Sequence, residues 1–545
     1  MISYISLGSN IGDRLSNINK AMDLLKEKVK IIKKSHFYIT KPMYYENQPY
    51  FINSVIKINS SLNPFELLNF LNQIEERLGR KRVFKNSPRI IDLDILYCGN
   101  SIINTTKLTL PHPRIYERPF VLKPFLDVEP GFVDPVKNRK IVDLFKGLNF
   151  NPFDVIKIPE NFNDVYSFFS NLNPRMKNDF NPSYVKEVLK IFGSPHNTYR
   201  EIIHITGSVG KTTTAKYLCE IIKSAGFVVA LYTSPHIDDI RERIMINDDM
   251  ISKKEFYNIL VKVLSNAHLI LSPFEYLTVI AVIYFSSKVC DFAIFEVGMG
   301  GRDDATNIFN KSISVFTKIT LEHQKYLGKN ISEITTNKAG IIREKTLVFV
   351  SGQNSKSVID IIHKESVKKN CKMHIFDMQK WGFDFDMINL EFAKFIASKI
   401  GIKFRDNLNF RNFECRKQVL NYNNLKILFD GAHTPVSMKM LFESLKNDDY
   451  KIVLCGFMKD KKIKEMLEII KSYGFEIFLS KSYSTRSFNP FEYANYGHCF
   501  NEPIVAIKKV LGYRKNFIVT GSLYFCSDIL KCLREKRIVY FRELL

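Results

Sequence analysis

Two stretches of this chain hold residues whose types and spacing can handle phosphate. In the first, Asp92 and Asp94 alternate with Leu93 and Ile95 inside SPRIIDLDILYCG, residues 87–99. Strand side chains alternate between faces, so both carboxylates leave one face while the apolar pair turns to a core. Two carboxylates so placed suit one or two Mg²⁺ ions that bridge the phosphates of ATP. Arg80, Arg82, Lys85 and Arg89 lie just upstream, and Arg118 follows His112. Arginine forks bind phosphate oxygens bidentately and offset the charge that develops in phosphoryl transfer.

The second stretch is GSVGKTT, Gly207 to Thr213, between a β-like EIIHIT and a helical TTAKYLCEIIKSAG. In a strand–loop–helix setting Gly207, Ser208 and Gly210 turn backbone N–H groups toward phosphates. Lys211 reaches the outer phosphates, and Thr212 or Thr213 offers a hydroxyl to Mg²⁺. Downstream, FEVGMGGRDDATN (Phe295–Asn307) places Glu296 at the C-terminal end of a strand, where open α/β sheets bind ligands. The stretch Ile319–Glu344 supplies His323 and Lys338, and FDGAHTPVSM supplies Asp430 and His433.

The elements that must position these groups follow from periodicity. Ile2–Leu7, Phe51–Ile58 and Ile90–Tyr97 read as strands, with helices over Arg14–Val29 and Pro64–Leu78. This order predicts an α+β ferredoxin-like domain over 1–150. Residues 151–182 are rich in Pro, Asn, Asp and Phe without clear periodicity and read as a linker packed by its aromatics. From Ile202 strands and helices alternate as in a doubly wound parallel sheet, giving an α/β domain over 183–380. A second, smaller α/β set begins near Trp381 and fills 381–545.

Bulk numbers agree with a multidomain globular protein. The 545 residues exceed what one core serves, and 45% hydrophobic residues are ample for packed interiors. The apolar run around Tyr276–Phe285 is too short to span a bilayer and reads as a buried helix. No export signal is visible and the nine cysteines form no CxxC pair, so a cytoplasmic setting with reduced thiols is expected. The net charge of +23 is spread along the chain without a Lys/Arg block, which favours small anionic substrates over nucleic acid or membrane.

With these residues in view, two resemblances emerge. Gly8-Ser9-Asn10, PRIIDLDIL and LPHPRIYERPFVL (Leu110–Leu122) resemble the 6-hydroxymethyl-7,8-dihydropterin pyrophosphokinase family over residues 1 to about 135. That resemblance implies Mg²⁺ on Asp92 and Asp94, and ATP contacts from Glu75, Arg80, Arg82, Arg89, His112 and Arg118. It implies a pterin pocket of Thr40, Pro42, Met43, Phe51, Asn53 and Phe120. An aromatic sandwich with an amide matches a flat heterocycle bearing a donor–acceptor edge. Asn86 and Ser87 stand where the family usually has an aromatic residue and a glycine.

The phosphate loop, YTSPH (Tyr232–His236), FEYLT (Phe274–Thr278), GGRDDATN, NKAGI and DGAHTP together resemble dihydrofolate synthase/folylpolyglutamate synthase, within the wider Mur ligase family, over about 183–545. This implies a P-loop Mur-ligase-type central domain, a Rossmann-like C-terminal domain, and glutamate ligation through an acyl phosphate with ATP as co-substrate. Ser234, Glu296 and His323, with Thr212, would hold Mg²⁺, and Lys338 would be carbamylated, its carbamate gripping the metal site and the acyl phosphate. Asp430 and His433 would reach the nucleotide and γ-phosphate, and Arg302 and Asn307 the phosphates or adenine side. The family loop usually reads Gly-Thr-Asn-Gly-Lys, and Val209 lacks the hydrogen bonds of that Asn. Together the resemblances imply a bifunctional folate-biosynthesis enzyme, with a separate dihydropteroate synthase as metabolic neighbour. The alternatives are a cell-wall precursor ligase, which YTSPH and FEYLT oppose, or a scaffold with one dead site, which the intact site residues oppose.

Overall fold

The computed structural model describes residues 1–545 except 82–83, 85, 173–180, 378–384, 406–413, 446–447 and 535–545. The chain folds into two compact units: Met1–His196 with Ser252–Tyr284, and Asn197–Ile251 with Phe285–Leu545.

The first unit is built on β1 (Ile2–Ser9), α1 (Arg14–Leu25), β2 (Lys30–Lys34), β3 (Tyr38–Thr40), β4 (Phe51–Asn59), α2 (Pro64–Arg77) and β5 (Asp92–Cys98). α1 starts where Asp13 accepts from the Ser16 amide, and α2 where Asn63 and Glu66 form a reciprocal capping box ahead of Pro64. The strands order as β5-β1-β4-β3, antiparallel, with β2 also on β4. The expected linker is packed by its aromatics, and it also carries a strand that the sequence reading lacks. Its strand Val155–Lys157 pairs antiparallel with β3, and Phe168 and Phe169 of the helix Val165–Ser170 pack on Tyr276. A three-residue strand carries too little periodicity to stand out in the sequence. The helices Lys253–Asn266 and Pro273–Ser286 lie late in the chain, yet Lys253–Asn266 and Pro273–Tyr284 fold with this unit.

The second unit holds two sheets. The larger places Glu201–Thr206 between Phe292–Glu296 and Ile313–Phe316, all parallel, with Val229–Tyr232, Leu347–Ser351 and Lys372–Phe376 outside them. Ile244–Ile246 and Asp249–Met250 add an antiparallel edge. Near-continuous buried runs rich in Ile, Val and Phe make the inner strands Val229–Tyr232, Phe292–Glu296, Glu201–Thr206 and Ile313–Phe316, as a sheet covered on both faces requires. The helix Phe385–Lys399, which the sequence reading gave to the last domain, buries Ile388, Phe392 and Ile396 in the core of this larger sheet beside the helix Lys211–Ser224. The smaller sheet orders Gln418–Tyr422, Leu425–Phe429, Phe517–Thr520, Ile452–Cys455, Glu476–Ser480 and His498–Phe500, parallel apart from its first strand. No described helix is long and apolar enough to cross a membrane.

Candidate active sites

In the first unit β5 runs antiparallel to β1, setting Asp92 opposite Gly8 and Asp94 opposite Ser6. Leu93 and Ile95 are buried while both carboxylates stay partly open, as the alternation predicts. A cavity of about 430 Å³ opens over them, walled by Gly8, Thr40, Met43, Phe51, Asn53, Arg80, Arg89, His112, Arg118 and Phe120. Asn53 donates through Nδ2 to Thr40 Oγ1 at 2.6 Å, which fixes the direction of its amide. A Cβ on Gly8 would stand 2.6 Å from Asn53 Oδ1, so only glycine leaves that oxygen its place. The Arg89 guanidinium lies 5.5 Å from the Phe51 ring centre, and that of Arg118 lies 5.6 Å from Phe120.

Arginines and carboxylates interlock on the cavity floor. Arg80 pairs with Glu75 and places Nη2 2.7 Å from Asp92 Oδ1, while Arg89 Nη1 lies 3.1 Å from Oδ2. Arg118 Nη1 is 3.3 Å from Asp94 Oδ2, and His112 Nε2 is 3.8 Å from the same oxygen. Burial raises the Glu75 carboxyl to about 7, against Arg80 and the Leu93 amide that donates to it. Burial and the neighbouring Asp94 charge raise Asp92, against Arg89, Arg80 and Arg118. Burial, then Arg118, lowers His112 to about 4, so its ring is neutral at physiological pH. The Nε atoms of Arg89 and Arg118 are buried without a hydrogen-bond partner. Donors orphaned beside a cavity suit phosphate oxygens. Among the described residues no group of three or more His, Cys, Asp or Glu could hold a metal alone. Two carboxylates completed by nucleotide oxygens are nonetheless a normal Mg²⁺ environment.

Of the residues the sequence singled out here, Glu75 sits behind Arg80, Pro42 is buried outside the cavity wall, and Arg82 lies outside the described residues. The wall also includes Lys41, Tyr44, Lys81, Phe84 and Asn86, which sequence reading did not assign. Arg114 lies over Tyr44 at 4.9 Å. Tyr44 and Phe84 are exposed large aromatics, and no periodic signal in the sequence marks them, since such residues are more often buried.

In the second unit Gly207–Gly210 joins Glu201–Thr206 to the helix Lys211–Ser224. Gly207 and Gly210 have φ of 149° and 88°, and a Cβ on Gly207 would meet Thr317 Oγ1 at 1.9 Å. The loop is tied down where Ser208 N donates to Lys318 O at 2.7 Å. Thr212 Oγ1 donates to Glu296 Oε1 at 2.8 Å, and Ser234 N donates to Glu296 Oε2 at 3.0 Å. Thr212, Ser234 and Glu296 therefore meet at the mouth of the loop. Burial raises Glu296, with Lys211 the main opposing charge. These oxygens suit a hard divalent cation shared with nucleotide phosphates.

Lys338 is 1% exposed, and its Nζ donates to Gly207 O at 2.9 Å and Glu322 Oε1 at 2.8 Å. Burial lowers its pKa and Glu322 opposes the shift. Burial pushes Glu322 up, but Lys338 and Lys211 outweigh it and hold the carboxyl below its ordinary range. Sequence reading passed over Glu322, although it adjoins His323. His323 adopts a left-handed φ of 45° at the start of the helix Gln324–Leu327, and burial lowers its pKa. In the smaller sheet Asp430 follows Leu425–Phe429 and accepts from Ala432 N at 2.9 Å and Lys417 N at 3.0 Å. His433 Nδ1 is 2.8 Å from Gly431 O, and burial lowers it to about 4. Arg416, also unassigned by sequence, acts electrostatically on Glu296, Asp430 and His433 together. Asn307 binds Arg302 O at 2.9 Å, Gly340 O at 3.3 Å and the Arg343 side chain, while the Arg302 side chain pairs with Asp303 at 3.3 Å. In this arrangement both brace the GGRDDATN turn.

Paired aspartates among arginines on one sheet, and a glycine loop at the switch point of another, mark two candidate sites suited to phosphate. The family model for 7,8-dihydro-6-hydroxymethylpterin-pyrophosphokinase matches residues 4–130, and that for the Mur ligase middle domain matches 205–400. The 2-amino-4-hydroxy-6-hydroxymethyldihydropteridine pyrophosphokinase of Bacillus subtilis is 48% identical over 129 residues, which are 23% of this chain and 77% of that protein. The dihydrofolate synthetase of Saccharomyces cerevisiae is 33% identical over 315 residues, 54% of this chain and 72% of that protein. The folic acid synthesis protein fol1 of Pneumocystis carinii is 47% identical over 144 residues, 26% of this chain, and the match spans only 20% of that longer relative. The solved structure of E. coli FolC in complex with DHPP and ADP shares the fold, with a TM-score of 0.63 at 22% identity over 69% of this chain and 99% of that one. The chain belongs to the hydroxymethyldihydropterin pyrophosphokinase family through its N-terminal part and to the dihydrofolate synthase/folylpolyglutamate synthase family through the remainder.

Proposed function

We propose that this chain is a bifunctional enzyme of folate biosynthesis. The observation that carries the reading is that two clusters of side chains suited to phosphate, Asp92 and Asp94 among arginines and the Gly207–Thr213 loop beside Glu296, each fall within the residues that match one family model. In the first, Phe51 and Phe120 sandwich 6-hydroxymethyl-7,8-dihydropterin while Thr40 and Asn53 read its polar edge, with Pro42 and Met43 shaping the pocket. Arg80, Arg89 and Arg118, with Arg82 and His112, hold the ATP phosphates so that the substrate hydroxyl attacks the β-phosphorus and AMP leaves. Mg²⁺ on Asp92 and Asp94 neutralises phosphate charge when bound.

In the second, Lys211 and the loop amides orient ATP so that a carboxylate of dihydropteroate, or of a folate, takes the γ-phosphate. The amine of L-glutamate attacks the resulting acyl phosphate, an amide forms and phosphate leaves. Thr212, Ser234, Glu296 and His323 are the candidate holders of Mg²⁺. Asp430 and His433 reach the nucleotide as the last domain closes. Carbamylation of Lys338 requires its amine neutral and released from Glu322. Burial lowers its pKa in that direction, but the contacts seen are those of an ammonium, so no step is assigned to a carbamate. We read the first antiparallel sheet as a ferredoxin-like sandwich and the last parallel sheet as Rossmann-like. Nine cysteines without a disulfide among the described residues suit a reducing cytoplasm, with a separate dihydropteroate synthase supplying the second substrate.

The test is nucleotide product against substrate. Hydroxymethyldihydropterin with ATP should yield AMP, and dihydropteroate with glutamate and ATP should yield ADP and phosphate. Absence of AMP removes the first activity from the account, and absence of ADP removes the second.

A further inference from the structure

Within the first unit, the start of α1 meets the end of the helix Lys253–Asn266. Arg14, the first residue of α1, is 2% exposed. Its guanidinium donates from Nε to Ser265 O at 3.0 Å, from Nη2 to Leu264 O at 2.6 Å and to Ala267 O, and from Nη1 to Tyr50 O. The last carbonyls of a helix have no partners within it and carry its partial negative charge, so an arginine fork is a fitting cap. The contact is reciprocal. Ser265, 3% exposed, accepts from Leu15 N at 3.2 Å, an amide of the first turn of α1, and its hydroxyl donates to the helix-capping Asp13. Tyr50 is held through both backbone groups, because its amide donates to His268 O at 3.4 Å.

Tyr50 immediately precedes Phe51, whose ring walls the pterin cavity. The two residues before it are held from the other side, where Asn10 Nδ2 donates to Pro49 O at 3.1 Å and Gln48 Oε1 at 3.0 Å. Resting on the proposed pyrophosphokinase reading, we propose that Arg14 is a positioning residue. It joins the wall of the pterin site to a helix encoded in the ligase half of the chain, so that pterin binding depends on that helix. The pyrophosphokinase half is thus built onto the ligase sequence instead of being tethered to it. Lysine cannot stand in for Arg14, since one ammonium cannot reach three helix-end carbonyls and Tyr50 O together.

The test uses the full-length protein and two variants on opposite sides of the contact, Arg14→Lys and Ser265→Ala. AMP formation should show the pterin KM raised about tenfold in Arg14→Lys and about threefold in Ser265→Ala, the effect of one or two lost hydrogen bonds. The KM for ATP and kcat should change less than about twofold, a split that general destabilisation does not produce. Amide exchange over residues 49–53 should quicken in both variants. If Arg14→Lys does not fold, Ser265→Ala decides. Unchanged pterin KM with unchanged exchange overturns the proposal and leaves the pyrophosphokinase reading intact. A wild-type protein that makes no AMP overturns that reading and the pterin-binding role with it, and the exchange measurement then reports on the contact alone.

Discussion

Arg80 holds Glu75 with one arm and Asp92 with the other, so the carboxylate proposed as a metal ligand is already oriented by the protein. Asp92→Asn removes a charge at that point and should reduce AMP formation by at least about 100-fold, the scale of losing one preorganised electrostatic group. ADP formation in the same protein should be unchanged, because the second site lies in another unit. His112 gives a pH prediction. Its pKa is lowered to about 4, so it stays neutral throughout the range from 5 to 8. The kcat/KM profile for AMP formation should therefore lack a histidine inflection near 6.5, and an inflection there that vanishes in His112→Gln would contradict this assignment. At this scale the sequence was most readable where spacing implied geometry. The Asp92/Asp94 alternation predicted a shared face, and the strand delivers it. Glu322 and Arg416 escaped because their importance comes from long-range neighbours, Lys338 in one case and Glu296 with Asp430 in the other.

The strand Glu201–Thr206 and its loop depend on two backbone features. Gly207→Ala would drive a Cβ to 1.9 Å from Thr317 Oγ1, at a φ of 149° that L residues avoid. It should cost about 2 kcal/mol or more of stability and reduce ADP formation by at least about 100-fold, read by thermal unfolding and by turnover. The same strand carries His204, wholly buried, with Nε2 2.8 Å from Thr306 Oγ1. Burial, and then Arg343, lowers its pKa to about 3. The unfolded chain, with an ordinary histidine near 6.5, binds more protons than the folded one between these values. Stability from this group is therefore fully present above about 6.5 and is lost as pH falls toward 3, on the order of 5 kcal/mol in all. Urea unfolding between pH 7 and 4 should show this loss, and His204→Gln should flatten it. Long strands and helices with strong periodicity were legible in the sequence. The strand Val155–Lys157 and the allegiance of Phe385–Lys399 were not, because the first is three residues long and the second is settled by which sheet buries its apolar face.

Across the whole molecule, two family signatures fall in different parts of one chain, and each candidate phosphate site lies inside a different compact unit. Chain order did not reveal that Ser252–Tyr284 folds with the N-terminal unit, because a helix-end carbonyl seeking an arginine leaves no mark in local pattern. The account predicts that each half can lose its activity alone while the protein remains folded. The most direct measurement is AMP and ADP formation side by side in the full-length protein, in Asp92→Ala and in Lys211→Ala. Asp92→Ala should lose pterin-dependent AMP formation and keep glutamate-dependent ADP formation, and Lys211→Ala should do the reverse. Loss of both products in either variant, with circular dichroism and unfolding midpoint unchanged, would contradict two independent sites on one chain.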